Sequence, residues 1–253
     1  MSLLTQDRLL PRPQHLRKAS KMSTNIYEAA TSPFLKLFRI GESSSLLAFV
    51  EYFVTLCPYL PPGSEKTLVV QDLRLIKQWG SSNHAYVSAS VVLDCSSVHH
   101  LCFERTSCND TGPNNRVAVL TGAKKGPLDQ VITHLSLPPD KDLYLWDVLA
   151  AITVLHAHPE KYHLQSWKHF RCGGTLMTIL ASYLNCKITR TSQWCCLPGY
   201  KPFVPVIAPG EKEKIVAAVH AFLSERGAII SRIDQNCESL RQHFRPVATK
   251  GVQ

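Results

Sequence analysis

The chain has 253 residues, of which 45% are hydrophobic and 19% charged. That is enough apolar mass to build a core without disulfide or metal support, and it excludes wholesale disorder. Lys and Arg total 28 against 19 Asp and Glu, so the net charge is +9, and the mean hydropathy is −0.05. No run reaches the roughly eighteen apolar residues of a membrane span, which points to a soluble, globular, basic protein with no membrane segment.

The first 25 residues hold Arg8, Arg12, Arg17, Lys18 and Lys21 against Asp7 alone, so +4 of the +9 sits in this segment. Its leucines never gather into an apolar core of the secretory kind. Residues 1–25 read as a basic, disordered leader, with a mitochondrial presequence as the alternative. Residues 26–253 read as a single domain, cytoplasmic by default. Residues 34–40 alternate as a strand. Ser43 to Ser45 then open a helix over 46–57, which Pro58, Pro61, Pro62 and Gly63 terminate. A strand–Gly–x–Ser–helix turn can expose Ser43 as a nucleophile. The competing reading is a serine cap on a buried helix.

Residues 66–71 read as a strand or a helix entrance. His84 to Leu93 is a strand, and 98–105 returns as its hairpin partner. A turn centred between Cys95 and Ser96 pairs Tyr86 with Arg105. His84 then shares a face with His99 and Arg105, and Glu104 points away. Residues 107–116 read as a loop, 117–120 as a third strand and 131–137 as a fourth. The pattern Leu145, Val148, Leu149, Ile152, Leu155 predicts a helix over 143–157. A second helix is expected over 172–184, then loop and short strand over 186–208. A third helix should run from Pro209 to Gly227, followed by a strand over 229–233. The fold class is therefore α+β, with helices packed on an antiparallel sheet.

Nine cysteines without a secretory signal argue against a disulfide framework, and no paired spacing marks a zinc site. His156, His158, His163 and His169 lack carboxylate or cysteine partners at ligand spacing, so no metal is expected. Trp146, Tyr162, Trp167 and Phe170 read as core. No Walker-type or dinucleotide fingerprint occurs, so no cofactor is expected. A basic stripe interleaved with aromatics is also missing, which disfavours nucleic acid as a partner.

One constellation carries chemistry. His84 starts a strand, and Cys172 starts an apolar helix followed by Gly173 and Gly174. A helix N-terminus lowers a thiol pKa, and a nearby imidazole would complete a thiolate–imidazolium pair. The competing reading is structural, since nine cysteines and eleven histidines make such placements easy by chance.

The His84–Ala85 hairpin, His100-Leu-Cys-Phe-Glu-Arg105, Leu145-Trp-Asp-Val-Leu149 and Tyr162-His-Leu164 before a Cys-bearing helix together resemble a group of fungal proteins. Those proteins are similar to circularly permuted papain-like folds of the NlpC/P60 and lecithin–retinol-acyltransferase type. The likeness covers about residues 80–185. It implies a thiol hydrolase or acyltransferase with His84 and Cys172 in the matching roles. In that pattern the cysteine falls seven residues after the tyrosine, where this chain has His169. Cys172 lies one helical turn further on, so a degenerate site is part of the expectation, with His169 and Ser43 as alternative catalytic residues. The functional expectation is cysteine-dependent acyl transfer or amide/ester hydrolysis on a small-molecule or acyl substrate. Its rivals are a non-catalytic accessory protein in a fungal biosynthetic pathway, and a basic RNA- or tRNA-handling enzyme using the Ser43 turn. Nothing in the sequence indicates an oligomeric state.

Overall fold

A computed structural model of the chain describes residues 43–60, 68–78, 84–92, 98–107, 113–157, 168–190 and 211–243. The basic leader, the strand expected over 34–40, the connection around Tyr162 and residues 191–208 lie outside them.

Among the described residues the chain forms one seven-stranded antiparallel sheet and four α-helices. The strands are β1 (Ser43–Ser45), β2 (Val69–Lys77), β3 (Ala85–Val92), β4 (Val98–Ser107), β5 (Pro113–Leu120), β6 (Gln130–Ser136) and β7 (Lys187–Arg190). Their order is β1-β5-β4-β3-β2-β6-β7, so β2 to β5 form a meander and β6 returns to the far side of β2. The α+β class with an antiparallel sheet is thus observed.

The alternation of β2 to β5 explains the layering. Leu73, Leu75, Val87, Ala89, Val91, Leu101, Phe103, Val117 and Val119 are buried together with the apolar sides of the helices. Even-numbered neighbours on β3 and β4 (Tyr86, Ser88, Ser90, His100, Glu104) point to the second face. There Ile76, Tyr86 and Cys102 make a small separate cluster.

Helix α1 (Leu46–Leu56) buries Leu46, Phe49, Val50, Phe53 and Val54, the i, i+3, i+4, i+7, i+8 stripe of one face. Ser45 caps it, its Oγ accepting from Ala48 N at 3.3 Å. A short 3-10 turn over Cys57–Tyr59, with Pro58 inside it, ends the run. Helix α2 (Leu145–Ala157) is buried along most of its length. Helix α3 (Lys168–Leu184) presses Cys172, Leu176, Met177, Ile179 and Leu180 into the core.

Three expectations are corrected here. The third helix does not end at Gly227, and residues 229–233 are not a strand. Both belong to α4 (Glu211–His243), 33 residues long. A glycine inside a helix costs about 1 kcal/mol relative to alanine, and tertiary anchors on both sides offset it. Phe222 and Ile229 are fully buried, Arg226 reaches Asp147, and Asn236 Nδ2 donates to Val54 O at 3.2 Å. The segment expected as a loop over 107–116 also supplies the first half of β5, from Pro113.

Close approach governs the start of α3. A methyl group on Gly173 would run into Leu75 Cδ1 and lie 3.3 Å from Val87 Cγ2, whereas one on Gly174 would meet nothing within 4 Å. Gly174→Ala is therefore expected to raise stability by about 0.5–1 kcal/mol through helix propensity. Gly173→Ala should lower it by about 1 kcal/mol, because overpacking outweighs the same gain. Urea midpoints of the pair would check this, and equal shifts would show that α3 does not sit this close to β2.

Candidate functional site

His84 directly precedes β3, and its ring is turned to the second face of the sheet. Its Nε2 lies 3.2 Å from Glu104 Oε2. The reason is register. Tyr86 pairs with Glu104, one residue away from the expected Tyr86–Arg105 pairing, and Val92 pairs with Val98. A one-residue slip exchanges the faces of every side chain on β4. Glu104 is thereby the partner of His84, and Arg105 joins the helix face; the expectation that Glu104 points away is corrected.

Glu104 also receives Lys125 Nζ, from the segment between β5 and β6. The Glu104 carboxyl is held down to about 2, chiefly by the hydrogen bond from His84 and also by Lys125, against the opposing effect of burial. The Lys125 ammonium lies 5.4 Å from the centroid of the Tyr86 ring. The Tyr86 hydroxyl accepts from Lys125 N at 2.8 Å and donates to Asp129 Oδ2 at 2.8 Å. Further along this face Asp72 pairs with Arg74 at 2.6 Å and His134 at 2.8 Å. His100 Nδ1 lies 3.0 Å from Ser90 Oγ.

Cys172 belongs to the other face. It is the fifth residue of α3, not the first, so the unpaired N–H groups of the first turn precede it. Its neighbour Gly173 packs on Leu75 and Val87, whose side chains point to the helix layer. Burial pushes the Cys172 thiol up, while the charge and hydrogen bond of Arg105 oppose that shift. His84 and Cys172 therefore approach the sheet from opposite sides, and no thiolate–imidazolium pair is formed. His169 sits in the first turn of α3, with its side chain outside the described residues. Ser43 is exposed on the edge strand β1, opposite Ala118, and the helix cap is Ser45.

What does gather around Cys172 was not singled out from the sequence. Arg105 and Asn115 are cross-strand partners at the ends of β4 and β5. Both point into the helix layer, with 8% and 2% of their surface exposed. Asn115 Nδ2 lies 3.1 Å from Nδ1 of His156, in the last turn of α2. Burial lowers the His156 pKa, and Arg105 lowers it further. Arg105, Asn115, Ile152, Cys172 and Leu176 line a cavity of about 10 Å³. A sequence signal existed: Leu101, Phe103 and Arg105 fall on one alternating face, so a guanidinium ends an apolar row. Among the described residues no group of three or more His, Cys, Asp or Glu could hold a metal ion, and no helix is long and apolar enough to cross a membrane. The chain matches no family model, no curated protein and no solved structure.

Proposed function

We propose that this chain is a non-catalytic, partner-binding protein built on a permuted papain-like scaffold. The observation that carries this reading is the placement of Cys172. The thiol is buried and its pKa is raised, while the histidine that should activate it is held across the sheet by Glu104. A nucleophilic thiol needs both access and a depressed pKa, and here neither condition is met. The antiparallel hairpin followed by a cysteine-bearing helix laid on the sheet supports the scaffold part of the reading.

A second reading, acyl transfer through Cys172, is favoured by one feature. The Arg105 guanidinium lies at the sulfur, and a positive charge there favours the thiolate. Site-resolved labelling separates the two. The native protein is treated with iodoacetamide near neutral pH and each cysteine-containing peptide is quantified by mass spectrometry. Cys172 is expected to react at least about a hundredfold more slowly than free cysteine, because labelling must wait for local opening. Labelling of Cys172 as fast as free cysteine would replace the binding reading with the thiol-enzyme one.

A further inference from the structure

We infer that Arg105 and Asn115 form a binding site for one compact monovalent anion between the sheet and the helix layer. The two residues are register partners aimed into the same cavity, and each is more than nine-tenths buried. Arg105 Nη1 and Asn115 Oδ1 are both buried without a hydrogen-bond partner. No carboxylate among the described residues pairs with Arg105. A buried cation is tolerated when it is paired, and buried polar atoms are expected to be hydrogen-bonded. The cavity, at about 10 Å³, has room for about one solvent-sized occupant.

A water molecule could complete the hydrogen bonds but would leave the positive charge uncompensated. An anion accepts from Arg105 Nη1 and compensates its charge, and it requires that Asn115 present its Nδ2 donor rather than its Oδ1 acceptor to the cavity. The amide of Asn115 can turn by 180°, so that Oδ1 accepts from His156 in its Nδ1–H tautomer and Nδ2–H faces the cavity beside Arg105. Arg105 and Asn115 then both present donors to the cavity, beside the Cys172 sulfur that is hydrogen-bonded to Arg105. The net charge of +9 favours an anionic occupant. The small void selects a halide or the head of a carboxylate over a bulky ligand.

The test uses the full chain in sodium gluconate, whose anion is too large for the cavity. Gluconate is exchanged stepwise for chloride, or separately for formate, at constant ionic strength while thermal unfolding is recorded. At least one exchange is expected to raise Tm saturably, by about 3 °C or more, and the chloride and formate arms tell a halide site from a carboxylate site. Arg105→Met should abolish the response. If that variant does not fold, broadening of the chloride-35 resonance by the wild-type chain, reversed by formate, reads the same binding. Identical Tm in all three salts together with no broadening overturns the site, as does a response that survives in Arg105→Met. Iodoacetamide labelling is read separately, so a fast Cys172 would remove the non-catalytic reading and leave the anion response standing.

Discussion

Replacing Arg226 by methionine is expected to destabilise the protein by about 3 kcal/mol, because it leaves a buried carboxylate without its counter-charge. Asp147 is fully buried. It accepts from Arg226 Nε at 2.5 Å through Oδ1 and from Tyr144 N at 2.9 Å through Oδ2. The second bond is half of a capping box at the start of α2; the first ties α4 to the same turn. Arg226 keeps 28% of its side chain exposed and can rehydrate when the acid is removed. Asp147→Asn should therefore cost only about 1–2 kcal/mol, and the double variant should recover part of the Arg226→Met loss.

The pH dependence has a definite sign. Burial raises the Asp147 pKa above its ordinary value of 3.8, against the pull of Tyr144 N and Arg226. A carboxyl whose folded pKa exceeds its unfolded one binds more protons when folded, so its contribution falls as pH rises from the unfolded pKa through the folded one. Removing Arg226 raises the folded value further. The deficit of Arg226→Met should thus be smaller near pH ~4 than near pH ~7. Urea denaturation of both proteins at the two pH values checks it, and a deficit independent of pH would mean that Asp147 is already neutral in the native protein.

Tyr86→Phe is the second large effect, expected at about 2 kcal/mol. The Tyr86 hydroxyl is the point at which β3 holds the segment between β5 and β6, donating to Asp129 and accepting from Lys125 N. Asp129 Oδ2 also accepts from Gly126 N at 3.1 Å, so the segment is folded around one carboxylate. Losing the phenol removes the donor on one side and the acceptor on the other, in surroundings where Tyr86 is 1% exposed. A lower urea midpoint at unchanged slope is expected, with faster amide exchange confined to residues near 125–129. Exchange that accelerates equally throughout the sheet would show that the hydroxyl supports global packing instead.

The register of the β3–β4 hairpin is legible in its alternation and not in the position of its turn. Pairing Tyr86 with Arg105 puts Ser88 and Ser90 on the same face as Leu101 and Phe103. Pairing Tyr86 with Glu104 matches Ser88 with Cys102 and Ser90 with His100, and puts Val87, Ala89 and Val91 on the same face as Phe103 and Leu101. The second arrangement buries one continuous apolar face, and that burial outweighs any preference of the connecting residues. The same comparison would have placed Glu104 beside His84 and turned Arg105 inward.

Local pattern was sufficient where one face of an element meets one core. The stripe of α1, its serine cap, the alternation of β3 and β4 and the apolar run of α2 all state their structure in residues three, four or two positions apart, and the chain determined these by itself. Gly227 shows where such reasoning stops. Nothing local keeps α4 helical through a glycine and two isoleucines; Asp147, Glu51 and the Val54 carbonyl do so from far away in sequence. The candidate site obeys the same division. Composition and spacing name a cysteine and a histidine, but the sheet between them decides which side each occupies. Only the three-dimensional packing lays α3 on the face away from His84 and sets Arg105 beside Asn115, because helix placement and the β4–β5 pairing act over distances that no sequence period spans.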